Sequence, residues 1–131
     1  MGNSAAAYLE GIRLFNAGHY WLAHEQWEAC WLACRRRNIQ TVGMAPPEGD
    51  AALDEEVHFY QALIQAAAAL VKWQQGNRRG LALNWAKSRA RLMNLPHHYQ
   101  GLDLLDLRER LDRLCTGESS DPPDLSVQSF M

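Results

Sequence analysis

His24 and Glu28 are the residues whose types and spacing point most directly to chemistry. They are four positions apart, so on a helix one turn places the imidazole and the carboxylate on the same face. Trp27 and Trp31 lie close by, and an unpaired polar group in apolar surroundings costs about 1–3 kcal/mol. The sequence therefore indicates that the two polar side chains either satisfy each other internally or bind something.

A metal ion is the first candidate. An imidazole and a carboxylate one turn apart are a common way for one helix to supply two metal ligands. Glu55 and His58 form a Glu-x-x-His pair, which carboxylate-bridged metal sites use in helical bundles. We therefore expect His24, Glu28, Glu55 and His58 as the metal ligands, and mixed nitrogen and oxygen donors suit zinc, manganese or iron.

Two glutamines and two tryptophans complete the candidate site. Gln61 and Gln65 continue the His58 side of their helix, so a polar stripe runs along an otherwise apolar element. Trp27 and Trp31 would form the wall of a site for a small ligand, although large aromatic residues are most often plain core. These four residues are the candidate ligand-binding residues.

The alternative is a structural role for the same residues. His24 could donate to Glu28 or to a backbone carbonyl, giving a buried pair that orients helices and binds nothing. The protein would then be a non-catalytic interaction or scaffolding module. If a metal does bind, hydrolysis is the expected chemistry, with Glu25 or Glu28 moving the proton, but the sequence contains no catalytic signature that assigns a catalytic residue.

The elements that have to position these residues are helices. Apolar residues recur at three- and four-residue spacings, and no segment alternates as a half-buried strand does. We therefore expect an all-α fold, a compact bundle of about five helices. The predicted helices are Ser4–Asn16, Tyr20–Arg36, Ala52–Gln75, Arg78–Asn94 and Leu102–Cys115, with loops over Asn38–Asp50 and Pro96–Gly101.

The 131 residues are enough for one domain with a real core. We place this helical domain at residues 1–115. Residues 116–131 contain two prolines and several small polar residues, which predicts an extended or disordered tail. Its Leu125, Val127 and Phe130 could dock on the body of the protein.

Composition limits the partners and the compartment. A net charge of −2 argues against a general nucleic-acid binder, and three cysteines fit a reducing cytoplasm better than a disulfide framework. No segment reads as a secretory signal or a membrane span. We expect a cytoplasmic protein that binds a small ligand or a protein partner, a homodimer included, and neither nucleic acid nor membrane.

Several motifs, in order along the chain, resemble those of a known family. They are Phe15-Asn-Ala-Gly18, Tyr20, Ala23-His-Glu25, Glu28 and Trp31, then Phe59-Tyr-Gln-Ala-Leu-Ile-Gln-Ala-Ala-Ala-Ala-Leu70 and Gly76-Asn-Arg-Arg-Gly80. From about Phe15 to Leu114 the chain is similar to the DUF309 family of small bacterial and archaeal proteins of unknown function. The resemblance implies a helical bundle and metal binding through a His-x-x-x-Glu-x-x-Trp motif, carried here by His24, Glu28 and Trp31. It implies no particular reaction.

Overall fold

The protein is an all-α bundle with one very short hairpin. A computed structural model describes the backbone of residues 3–42 and 51–127 and the side chains of residues 5–36 and 55–127. The elements in chain order are α1 (Asn3–Asn16), α2 (Tyr20–Val42), α3 (Ala51–Gln74), α4 (Arg78–Leu92), β1 (His98–Tyr99), β2 (Leu102–Asp103) and α5 (Leu104–Thr116). Among the described residues, no helix has both the length and the apolar character needed to cross a membrane.

A tight turn joins α1 to α2. Gly18 adopts φ 84°, the left-handed conformation that glycine takes without a Cβ penalty after a helix. The turn lets α1 pack directly on α2, where Phe15 contacts the rings of Tyr20 and Trp27 at centroid distances of 5.1 and 5.7 Å. This packing fixes the rotation of α2, and therefore which of its faces remains accessible.

The third helix is central, as its composition predicts. It packs against α2 on one side and α4 on the other. Its alanines are small enough to let both neighbours approach closely, and Ala62, Ala66, Ala67 and Ala69 are all buried. Ser88 of α4 is fully buried at this contact and donates to the backbone carbonyl of Ala62 at 2.7 Å, so its hydroxyl is satisfied.

The hairpin of β1 and β2 was not predicted. Tyr99 pairs with Leu102 in antiparallel register, and Gln100 and Gly101 form the turn with φ 48° and 83°. Two consecutive positive φ values match the type I′ turn that two-residue hairpins prefer. With only two residues in each strand, no alternating pattern can develop, so the sequence predicted a loop here and started the last helix at Leu102, two residues before α5 begins.

The C-terminal segment closes over α1. The side chain of Asn16 donates to the carbonyl of Leu125 and accepts from its N–H, both at 2.7 Å, and Leu125 is buried. The segment after α5 is thus docked through Leu125, with no helix or strand between residues 117 and 127, while Val127 is 40% exposed. Phe130 lies outside the described residues.

The largest error in the predicted boundaries concerns α2. It continues to Val42, six residues beyond Arg36 and into the predicted loop at Asn38–Asp50. The cationic run 35–37 resembles a helix end because it complements the helix dipole, but no helix-breaking residue precedes Gly43. The rest of the predicted loop, residues 43–50, lies outside the described residues.

Candidate functional site

His24 and Glu28 lie one turn apart on α2, at the border between its buried face and its exposed face. Nε2 of His24 is 4.0 Å from Oε2 of Glu28, and the side chains are 17% and 52% exposed. That distance is too long for a hydrogen bond, and an ion pair with one exposed partner contributes little to stability. The two side chains are therefore neighbours whose polar atoms do not satisfy each other.

Two aromatic side chains extend this face of α2. The ring of Trp21 stacks on His24 with 4.8 Å between centroids and 8° between planes, and Trp21 itself is 57% exposed. Trp31 lies two turns after His24 and is half-buried, with the guanidinium of Arg35 5.0 Å from its ring centroid. The imidazole is thus held from one side by an aromatic ring, and its orientation is restricted.

Two buried polar atoms on this face have no hydrogen-bond partner among the described residues. They are Nδ1 of His24 and Nε1 of Trp31. The spacing of seven residues brings both to the same side of α2, about 20° apart. Leaving such atoms unsatisfied costs about 1–3 kcal/mol each, so buried polar groups without a partner need an explanation. The indole N–H can only donate, whereas the imidazole nitrogen can donate, accept or ligate a metal.

Trp27 is part of the core and does not form the wall of the site. It is fully buried, and its Nε1 donates to the backbone carbonyl of Tyr8 at 3.2 Å. Its indole is therefore satisfied within the fold, as expected for a plain core tryptophan. Glu25, expected as a possible base, is exposed and lies about 100° around α2 from His24.

The candidate residues on α3 lie elsewhere. Glu55, His58 and Gln65 line a groove between α3 and α4, and Gln61 is half-buried on the same helix. His58 faces a cation there, because its Nδ1 is 2.7 Å from Nη1 of Arg91.

The described residues supply only part of a ligand set for a divalent ion. Within residues 5–36 and 55–127, no three His, Cys, Asp or Glu side chains come together as a metal-ligand set. The predicted ligands His24, Glu28, Glu55 and His58 are thus not assembled into one site in that part of the chain. His24 and Glu28 alone fit the donor chemistry of a zinc, manganese or iron ion, as two ligands of an incomplete set.

Sequence reasoning missed a polar cluster inside the bundle. The hydroxyl of Tyr60 donates to the side chain of Gln100 at 3.4 Å, and the amide of Gln100 donates to Glu56 at 3.3 Å. The hydroxyl of Tyr8 donates to the backbone carbonyl of Gln100 at 2.8 Å. These contacts join residues 40 to 92 positions apart, so no local sequence pattern predicts them.

Burial at this cluster raises the pKa values of one thiol and two phenols and keeps these three groups protonated. Desolvation raises the pKa of the Cys30 thiol to about 11, and it also raises the pKa values of Tyr8 and Tyr60 above the ordinary range of a phenol. A thiol with a raised pKa is a poor nucleophile and a poor metal ligand at neutral pH. We therefore assign this cluster a structural role, locking the hairpin onto α1 and α3.

A comparison with known protein families gives a match over much of the chain. A family model described as a domain of unknown function, DUF309, matches residues 8–45 and 48–83. The match includes the His24, Glu28 and Trp31 motif and all of α3, and it begins and ends earlier than the stretch from Phe15 to Leu114 that the motifs suggested. No curated protein matches the chain.

Proposed function

Since the chain belongs to the DUF309 family, a domain of unknown function, we propose its activity from the site itself. The protein binds a small polar ligand, with a divalent cation as the first candidate, on the face of α2 that carries His24, Glu28 and Trp31. The single observation that carries this proposal is the pair of buried, unpartnered nitrogens, His24 Nδ1 and Trp31 Nε1, beside a half-exposed carboxylate.

The three side chains offer complementary chemistry to such a ligand. Glu28 accepts hydrogen bonds or ligates a cation, His24 does either through a ring nitrogen, and Trp31 donates to an oxygen of the ligand. Trp21 shields one face of the imidazole. A bound divalent ion would supply a Lewis acid that lowers the pKa of water, the chemistry that hydrolysis requires. The proposal itself is for binding.

The test is a titration of protein purified without chelator or histidine tag with zinc, manganese and ferrous ions, followed by calorimetry and elemental analysis. We expect one equivalent to bind to the wild type and His24→Ala or Glu28→Gln to weaken binding about 100-fold or more, since loss even of residues that support a metal ligand costs 10–100-fold. Trp31→Phe replaces the indole with a smaller phenyl ring that has no N–H, and it should leave ion affinity nearly unchanged because an indole N–H can only donate.

A matched control lies on the hairpin. Nε2 of His98 is 3.6 Å from Oδ2 of Asp103, an exposed histidine and carboxylate pair away from the α2 face. His98→Ala should not alter binding. Failure of all three ions to bind, or equal binding by His24→Ala with unchanged helicity, would refute the cation version of the proposal.

A second candidate function is the interaction module. Trp21 and Leu32 lie on the outer face of α2, are 57% and 41% exposed, and would offer apolar area to a partner. Under this alternative no ion binds, and a homodimer or protein partner covers these side chains. Sedimentation equilibrium of the wild type and Trp21→Ser tests the homodimer directly.

We also propose a cytoplasmic location. Support comes from the three cysteines, Cys30, Cys34 and Cys115, all in the described part of the chain, which form no disulfide with one another. Thiols persist in reducing compartments.

A further inference from the structure

A groove between α3 and α4 offers a concave surface for a second site. Its volume is about 630 Å³, within the range of small-molecule pockets. The side chains that line it are Glu55, His58, Gln65, Lys87, Ala90, Arg91, Asn94 and Leu95. The last of these is buried, so the groove combines an apolar portion with several polar groups.

Arg91 is held in this groove by two neutral partners. Its Nε donates to Oε1 of Gln65 at 3.2 Å, and its Nη1 lies 2.7 Å from Nδ1 of His58. A guanidinium has only donors, so Nδ1 of His58 must accept, and the imidazole is then neutral with its proton on Nε2. The guanidinium is thus oriented while its positive charge is not neutralised.

Lys87 adds a second charge one helical turn before Arg91. Its side chain is exposed, and among the described residues neither cation has a carboxylate oxygen within 4.0 Å. Glu55 also lines the groove but forms no ion pair with either of them. Because side chains at i and i+4 lie on the same face of a helix, Lys87 and Arg91 present two adjacent cations to the groove.

We propose that this groove binds a small anion that carries a phosphate or a carboxylate group. Arg91 and Lys87 contact the anionic group, and His58 and Gln65 act as positioning residues that hold the guanidinium. An oriented guanidinium suits either group, because Nη2 and the second N–H of Nη1 can donate to it and less side-chain freedom is lost on binding. This site uses none of the α2 residues assigned above.

The test is a titration of the full chain with inorganic phosphate and, separately, with sodium acetate, at ionic strength held constant with sodium chloride. Amide and side-chain NMR shifts report binding. We expect saturable shifts localised to the groove residues, and a dissociation constant about tenfold weaker in Lys87→Gln, the loss typical of one charge-assisted hydrogen bond. Tighter binding of phosphate than of acetate identifies a phosphate-bearing ligand, and the reverse order identifies a carboxylate.

Arg79→Gln is the matched control, because Arg79 is an exposed cation on α4 that does not line the groove. It should leave both dissociation constants unchanged. Arg91→Gln should weaken binding more than Lys87→Gln, but it also removes the bonds to His58 and Gln65. The decisive variant is therefore Lys87→Gln. Shifts that do not saturate with either anion, or equal affinities in wild type and Lys87→Gln, would overturn the proposal.

Discussion

The two tryptophans of the α2 motif differ in what their indole nitrogens contact. The nitrogen of Trp27 is satisfied by the backbone of Tyr8, whereas the nitrogen of Trp31 is buried without a partner in the described part of the chain. Residue type and helical spacing cannot separate these two cases, because the partner of Trp27 comes from α1. For His24, helical spacing gives the neighbours on α2, but only the packed bundle shows that Nδ1 is buried without a partner among the described residues.

The position of Trp27 leads to a prediction about Gly11. A Cβ at residue 11 would lie 2.6 Å from Cδ1 of Trp27, whose ring is fully buried and fixed by its bond to Tyr8. We expect Gly11→Ala to lower the free energy of unfolding by about 2–3 kcal/mol, the usual cost of overpacking a core. Urea denaturation measures the change.

Gly80→Ala is the control for that substitution. A Cβ there would lie 2.8 Å from Cγ of Lys72 and 3.0 Å from Nδ2 of Asn77, two side chains nearer the surface that can shift more easily than the buried ring of Trp27, and alanine is favoured in a helix. The free energy of unfolding should change by no more than about 0.5 kcal/mol. Equal losses in the two variants would show that the rigid contact with Trp27 is not the cause.

The docking of the segment after α5 depends on the side chain of Asn16. Asn16 at the end of α1 makes two hydrogen bonds to Leu125, and these join the two ends of the described chain. Asn16→Ala should cost about 1–3 kcal/mol, because each bond contributes about 0.5–1.5 kcal/mol. It should also speed proteolysis within residues 117–127, measured by mass spectrometry of limited digests.

Asn84→Ala is the comparison for the loss of an asparagine. Among the described residues, the amide of Asn84 bonds only to the carbonyl of Gly80 within its own helix, at 2.8 Å, and alanine is the better helix former. Stability and digestion should both be nearly unchanged. If Asn16→Ala also digests like the wild type, the docking of the segment does not depend on this pair of bonds.

Most of the secondary-structure elements could be predicted from the sequence, but some could not. All five helices and the central position of α3 follow from apolar spacing and from breakers such as Gly18, because these signals are local. The hairpin, the continuation of α2 to Val42 and the partners of His58 do not follow. A two-residue strand has no periodicity, no breaker marks the true end of α2 before Gly43, and the contact of His58 with Arg91 joins residues 33 apart.

The sequence also predicted only part of the arrangement of the candidate site residues. The motif correctly placed His24, Glu28 and Trp31 along one flank of α2. It gave no indication that Glu55 and His58 line the groove between α3 and α4. A Glu-x-x-His spacing is local, so it does not show which neighbouring helix the two side chains face. His58 and Gln65 do lie on the same side of α3, as the polar stripe predicted. Both side chains contact Arg91 of α4.

At the scale of the whole molecule, α3 separates the two proposed sites. Tyr60 of α3 is hydrogen-bonded to Cys30 of α2, whereas His58 is bonded to Arg91 of α4. Tyr60 and His58 are two residues apart and therefore about 160° apart around the helix. The family match includes the α2 motif but ends at residue 83, before both Lys87 and Arg91. The α3 residues of the anion groove thus lie inside the matched region, whereas its two cations lie outside it.

This arrangement predicts that the two sites act independently. They share no side chain, and effects at distant sites without common partners usually add to within about 0.5 kcal/mol. Lys87→Gln should therefore leave cation binding at the α2 face unchanged, and His24→Ala should leave phosphate binding at the groove unchanged, each within about twofold, as measured by calorimetry. The double variant should show the sum of the two single losses. If His24→Ala instead weakens phosphate binding tenfold while the protein keeps its helicity, α3 couples the two faces, and the protein has one ligand-responsive unit rather than two.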